Sequence, residues 1–333
     1  MIKRALTILL VLAMGLGIAQ KADYLKRFEQ AWKLVADYYY DLHYRGVDWR
    51  AVGERYREQI AESRSWPQVY RLLADMYGEL GDRHSTVLNP RDALDELRGQ
   101  QCFPLPFPVE HGAQLARVIA REKKEFGIDN EGAEESSEPA WGEFEASLKN
   151  NVAYLRIPVL LDHQLTSDLS DAVKNFEKKG VKGYVLDLRD NPGGMALIMA
   201  EVAGVFMRGL PWRIVTRTKG AIPQPTLPFW GKPLTSKPLV VIINGRVNSA
   251  AEGLAGALKM AHRATLVGER TAGNTEVVLP YCFPDGGVAM LASGLLAPIG
   301  ATTWEGRGVT PDVKVVGEQK QLQTAIDIVL GSH

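Results

Sequence analysis

Pro238-Leu-Val-Val-Ile-Ile-Asn-Gly-Arg-Val-Asn-Ser-Ala-Ala-Glu-Gly-Leu-Ala-Gly-Ala-Leu258 is the stretch on which the fold turns. Up to Asn244 it is a near-continuous apolar run rich in β-branched residues, as expected of a strand buried on both faces. Gly245 to Asn248 reads as a turn, and from Ser249 onward small and apolar residues recur as in a helix. A serine at a sharp strand-to-helix turn stands clear of the sheet. The next amide, on Ala250, points from a helix N-terminus, where negative charge is favoured. Ser249 is therefore a candidate nucleophile. With Glu252 it also spells a Ser-x-x-Glu capping box, and the two roles are compatible because Glu252 can cap while the hydroxyl reacts.

Working outward, the same texture recurs from Asn151. Val152–Ile157 reads as a strand, Asp168–Lys179 as a helix, Val181–Arg189 as a strand, Met195–Met207 as an apolar helix and Ala264–Gly268 as a strand, with a closing helix over Leu322–Leu330. Strand-helix alternation with near-continuous apolar strands implies an α/β domain with a largely buried sheet. Between Asp187 and Gly194 the run Asp-Leu-Arg-Asp-Asn-Pro-Gly-Gly ends a buried strand. Its glycine pair lets backbone approach a ligand closely, so an amide of Gly193 or Gly194 is a candidate second oxyanion donor beside Ala250. An ordinary strand-to-helix turn would use glycine in the same way.

Toward the N-terminus, Phe28, Trp32, Val35 and Ala36, then Tyr70, Leu73, Met76 and Leu80, recur at helical spacing and predict three helices, broken at Gly46–Asp48 and Ser63–Pro67. From Arg91 to Asn150 the pattern weakens: Pro104, Pro106 and Pro108 forbid regular helix, short strands are expected around Leu115–Ala120, and the acidic stretch Asp129–Pro139 reads as a solvated loop. Lys3 and Arg4 precede an apolar run, Ala5–Ile18, that ends in small residues, so residues 1–19 read as a signal peptide with Gln20 first in the mature chain. If uncleaved, the run is a membrane anchor. The expected organisation is thus 1–19 signal peptide, 20–90 helical segment, 91–150 irregular insert, 151–317 α/β core and 318–333 terminal helix.

The 333 residues carry 39 basic and 39 acidic side chains, so no overall field argues for nucleic acid or an anionic membrane as partner. At 46% hydrophobic and 23% charged the composition is that of a globular protein. There is no His-Glu-x-x-His and no clustered Cys/His spacing, and no metal or organic cofactor is called for. Cys102 and Cys282 are the two cysteines, and as sequence they are open to pairing, to burial or to remaining free.

Four segments, Asp187–Gly194, Asn244–Glu252, Val267–Gly273 and Gly308–Val313, occur in an order and spacing that resemble the carboxyl-terminal-processing (tail-specific) serine protease family. Trp32–Trp49 and Leu80–Ser85 resemble that family's helical N-terminal segment. The resemblance implies a ClpP/crotonase-like core of strand-strand-helix units, Ser249 as nucleophile, and an oxyanion hole from the Gly193–Gly194 pair and Ala250. In the best-known members a lysine follows Thr-x-Gly and is supported by a glutamine four residues on. This chain has Asn274 and Val278 there, and neither can serve as a base. Of six histidines (His43, His84, His111, His163, His262 and His333), His84 in Gly81-Asp-Arg-His-Ser85 matches the branch typified by tricorn core protease and the retinoid-binding-protein modules. That branch implies Glu305 as the acid that orients His84, although Asp82 is an alternative and Ser85 does not fit the fourth position. Asn274 and Thr275 fall near the active centre by the same resemblance, as substrate-binding groups or as a structural turn.

The insert is short for the family's PDZ domain, so tail specificity is not carried over. The resulting expectation is an extracytoplasmic, periplasmic or secreted, serine peptidase acting on a peptide or protein. A non-catalytic binding protein on the same scaffold is the alternative, and an acyl-CoA hydratase relative is a third reading that the signal peptide opposes.

Overall fold

The computed structural model of the protein describes residues 2–82, 84–97, 102–106 and 142–331. The strands expected at Leu115–Ala120, the acidic loop, His111 and His333 lie outside them. The chain divides into two compact units, Met1–Glu135 with Val278–Gly294, and Ser136–Val277 with Leu295–His333.

In the first unit, α1 (Ile2–Tyr38), α2 (Trp49–Ala61) and α3 (Trp66–Gly78) correspond to the three expected helices, although α1 runs back through residues 2–19, which the sequence set apart as a signal peptide. Asp48 caps α2 by accepting from the Ala51 amide, and Pro67 lies in the first turn of α3, where its missing N–H costs nothing. Their apolar faces bury Phe28, Val35, Trp49, Ile60, Trp66 and Leu73 in one cluster, joined by Phe283, Ala289 and Leu291. A short strand β1 (Thr86–Leu88) pairs antiparallel with β11 (Val288–Pro298). It is followed by α4 (Pro90–Leu97). Two residues of β2 (Phe103–Pro104) pair parallel with Tyr281 and Cys282 of β10 (Glu276–Cys282). At this place Cys102 and Cys282 form a disulfide, with their Cα atoms 5.5 Å apart. The buried Arg27 donates to Asp285 and to the Tyr70 hydroxyl and lies over the Phe283 ring, so the charge of Asp285 in the β10–β11 turn is matched.

The second unit holds a six-stranded sheet in the order β12-β9-β8-β5-β4-β3, formed by β3 (Glu145–Lys149), β4 (Val152–Arg156), β5 (Tyr184–Asp187), β8 (Leu239–Ile243), β9 (Thr265–Gly268) and β12 (Val313–Lys314). All neighbours run parallel except the β3–β4 hairpin. Strand alternation splits the side chains between two clusters. Leu155, Leu186, Val241 and Ile243 face α5 (His163–Lys178), α6 (Ala196–Phe206) and α7 (Ala250–Met260). Tyr154, Val185, Val240 and Ile242 face α8 (Glu318–Leu330). With both faces covered, β8 is buried along its whole length, as its unbroken apolar run implied. A hairpin of β6 (Trp212–Thr216) and β7 (Gly220–Gln224) follows α6.

The α/β core with an N-terminal helical segment is therefore present. Several boundaries differ from expectation. Helix α5 begins at His163 rather than Asp168 because Asp162 accepts from the Gln164 amide and caps it there. Helix α8 begins at Glu318, four residues ahead of Leu322. Strands β10 and β11 had no counterpart in the sequence reading. Among the described residues no helix is long and apolar enough to cross a membrane.

Candidate active site

Strand β8 ends at Ile243, and the turn to α7 delivers Ser249 with φ 50° and ψ −122°, a backbone that L-residues rarely adopt. Such strain persists only where surroundings over-determine it, and here they do. The Ser249 amide faces three acceptors: the Asn274 carbonyl at 2.9 Å, Asn248 Oδ1 at 2.8 Å and Glu252 Oε2 at 3.2 Å. The capping glutamate thus reaches back to its serine, as the sequence implied.

Glu252 also does more than cap. It is completely buried, and its carboxylate accepts from the Thr271 hydroxyl, the Gly273 amide at 2.7 Å and the Asn274 amide at 2.8 Å. Burial raises its pKa above the ordinary glutamate value, while these donors pull the other way. One carboxylate therefore holds the loop 271–274 against the start of α7.

The glycine loop approaches from β5. A Cβ at Gly193, where φ is 104°, would stand 2.7 Å from Ser249 Cβ and 3.0 Å from the Ala250 nitrogen; at Gly194, where φ is 137°, it would meet the Leu160 carbonyl oxygen at 2.2 Å. Only glycine fits either place. The Gly193 amide donates to Asn191 Oδ1 at 2.8 Å. Gly194 and Ala250 have no acceptor for their amides among the described residues.

Asn191, fully buried, is a residue that sequence reasoning passed over. Its Nδ2 donates to the Ile157 carbonyl, its carbonyl accepts from the Asn248 amide at 3.0 Å, and its Oδ1 turns the glycine loop. A second tie links the same two loops. Asn244 Oδ1 accepts from the Asp190 amide at 3.2 Å, Asn244 Nδ2 donates to Asp190 Oδ1 at 2.7 Å, and Arg246 Nε donates to the same oxygen at 2.6 Å. Asp190 has φ 67°. Although burial opposes it, hydrogen bonds from Asn244 and Arg246 and the arginine charges hold its pKa below the usual carboxylate value. The signal was present as Asp and Asn at turn positions, which tolerate left-handed backbone. At the foot of the loop, Asp187 accepts from the Tyr154 hydroxyl at 2.8 Å and pairs with Arg189, which reaches the Glu318 carbonyl on α8.

Glu305 lies in the same unit as Ser249. Its Oε2 accepts from the Thr275 amide and, at 3.3 Å, from the Thr275 hydroxyl. Burial, with Glu276 and Glu252 nearby, raises its pKa. Thr275 is thereby engaged within the protein, its hydroxyl also meeting Thr303 at 3.1 Å. Asn274 differs: its main chain is tied to Ser249 and Glu252, but its Nδ2 is buried with no hydrogen-bond partner among the described residues.

His84 belongs to the other unit. It is half-buried just before β1, with its amide donating to Asp82 Oδ1 at 2.9 Å. Asp82 also accepts from the Ser85 amide and the Tyr39 hydroxyl, an Asx turn that shapes the loop. The Ser85 hydroxyl accepts from the Ala292 amide at 3.1 Å on β11.

A strained serine opening a helix, with a glycine pair packed against it, is an arrangement suited to acyl transfer. Residues 151–315 match peptidase family S41, and residues 20–78 match the tricorn protease C1 domain. It is 33% identical over 55% of its length to the carboxy-terminal-processing protease of Bartonella bacilliformis. To the carboxyl-terminal-processing protease of Picosynechococcus sp. it is 23% identical over 88% of its length, which covers 84% of that protein. The chain spans only 43% of the length of the Bartonella relative. In fold it is similar to a photosystem II D1 C-terminal processing protease, with a TM-score of 0.63 and 20% identity over 88% of this chain and 93% of the other.

Proposed function

We propose that the protein is a serine peptidase in which Ser249 attacks a peptide carbonyl. The observation that carries this reading is the backbone of Ser249 at the start of α7, held by the Asn274 carbonyl and approached by Gly193. Gly194 and Ala250 supply the oxyanion amides, since the Gly193 amide is spent on Asn191. His84 takes the serine proton and returns it to the leaving amine, and Glu305 orients the imidazole. Asn274 and Thr275 line the substrate site, with Thr275 held there by Glu305. Residues 1–19 direct the chain out of the cytoplasm, a reading supported by the Cys102–Cys282 disulfide, which is a bond of oxidising compartments.

The proton inventory closes without a metal: hydroxyl proton to imidazole, imidazolium proton to amine, then the same cycle with water on the acyl-enzyme. One observation favours the non-catalytic alternative, namely that Glu305 already accepts from Thr275. Labelling by a serine-directed fluorophosphonate separates the two. Wild type is expected to label, Ser249→Ala not at all, and His84→Ala at least about 10²-fold more slowly. Labelling that survives Ser249→Ala removes the nucleophile, and equal labelling of wild type and His84→Ala removes the base.

A further inference from the structure

The chain is neutral overall, yet its charges are not evenly spread. From Met207 to Lys237 there is no acidic residue, while Arg208, Arg213, Arg217, Lys219, Lys232 and Lys237 are all basic. Lys237 pairs with Glu177 at 3.2 Å, and Arg217 has interactions of its own. Arg208 and Arg213 bond to backbone carbonyls, which leave their charge uncancelled. Lys219 and Lys232 are exposed.

The same short segment holds five of the fifteen large apolar side chains exposed among the described residues: Leu210, Ile222, Phe229, Trp230 and Leu234. Trp230 is 78% exposed, more than any other of them, and Phe229 is 50% exposed. A loose loop would explain such exposure, but this one is tied down. The Thr226 amide donates to the Gly209 carbonyl and the Leu227 amide to the Ala200 carbonyl, each at 2.9 Å; the Leu234 amide donates to the Val205 carbonyl at 2.9 Å. Arg208 clamps the tip, giving Nε to the Trp230 carbonyl at 3.3 Å and Nη2 to the Lys232 carbonyl at 2.9 Å. The backbone is therefore fixed in the arrangement that holds both aromatic rings out in water, a cost that needs a partner to offset it.

We propose that Met207–Lys237 is a docking surface for an anionic phospholipid bilayer. Trp230 and Phe229 enter the interfacial layer, where an amphipathic indole is at home, and Lys232 and Lys219 lie among the lipid phosphates. An apolar protein partner would fit the rings but not the exposed charges of Lys219 and Lys232. A neutral bilayer would fit the rings alone, whereas an anionic surface also attracts each basic side chain near it. The contact is peripheral, and it is independent of what Ser249 does.

Tryptophan quenching by brominated acyl chains tests it on the full chain. The chain has seven tryptophans, so the contribution of Trp230 is read as the difference between wild type and Trp230→Phe. Vesicles of equal parts phosphatidylcholine and brominated phosphatidylglycerol are expected to quench a component of wild-type emission that Trp230→Phe lacks, and brominated phosphatidylcholine alone is not. Phe229→Ser/Trp230→Ser and Lys232→Glu, shown by thermal melting to be folded, are expected to weaken vesicle binding at least about tenfold. Identical quenching in wild type and Trp230→Phe, no binding by wild type, or equal quenching in both vesicle types overturns the proposal. Binding of an acidic polypeptide such as polyglutamate with no lipid quenching also overturns it, and identifies the surface as one for acidic proteins.

Discussion

Glu305 is a half-buried carboxylate that accepts two bonds from Thr275 and lies within electrostatic reach of Glu276 and Glu252. Its pKa is raised in the folded protein, with burial the largest cause. For an acid raised on folding, the native state holds the proton more tightly than the unfolded chain. The associated stability is fully present below the ordinary glutamate pKa and is lost as pH climbs through the raised value. Urea titrations across that window should therefore show wild type losing stability with rising pH, and Glu305→Gln losing less of it. An unchanged pH profile in the variant would show that Glu305 does not titrate there. Glu252 is the other carboxylate that the sequence named, as a cap. Nothing in Ser-x-x-Glu revealed that its oxygens also gather Thr271, Gly273 and Asn274, because those partners come from a distant stretch that only the fold brings back.

At the scale of elements, the two amides proposed for the oxyanion sit on different loops, one after β5 and one opening α7. Their spacing is fixed by Asn191 bridging to Asn248 and by Asn244 gripping Asp190. Asn244→Ala removes the second grip. A cost of about 1–3 kcal/mol in stability is expected from the stranded Asp190 groups. The fluorophosphonate labelling rate should fall by about 10²-fold, the effect of an ångström-scale misplacement. Undiminished labelling in a folded variant would mean that the first bridge alone sets the spacing. The strand-turn-helix of Pro238–Leu258 was legible because apolar run, turn residues and small-residue helix agreed in one window. The β10–β11 pair was not, although Phe283-Pro-Asp-Gly-Gly287 between apolar runs is a hairpin signal. Pro280 and Pro284 broke the alternation on one side, and Ala289, Ala292, Ser293 and Gly294 diluted it on the other.

For the molecule as a whole, the α/β organisation of the second unit and the helices of the first could be read from periodicity. The crossing of the chain between units could not, since it depends on contacts 180 residues apart such as the Cys102–Cys282 bond. That bond closes a long loop. Replacing both cysteines by serine is expected to destabilise the protein to urea by about 2–5 kcal/mol, and a reducing agent should do the same to wild type but not to the variant. Equal midpoints with and without reductant would show that the bond contributes nothing.

Residues 278–294 belong to the unit that the N-terminus begins, and this sets a schedule for biogenesis. Arg27 meets Asp285 and β1 meets β11 only after most of the second unit has been synthesised. A ribosome working from the N-terminus therefore releases α1 to α3 long before their packing can be completed, and their buried aromatic faces stay exposed in the interim. A chain exported unfolded would meet the same delay outside the cytoplasm, which makes chaperones that shield those helices a determinant of yield.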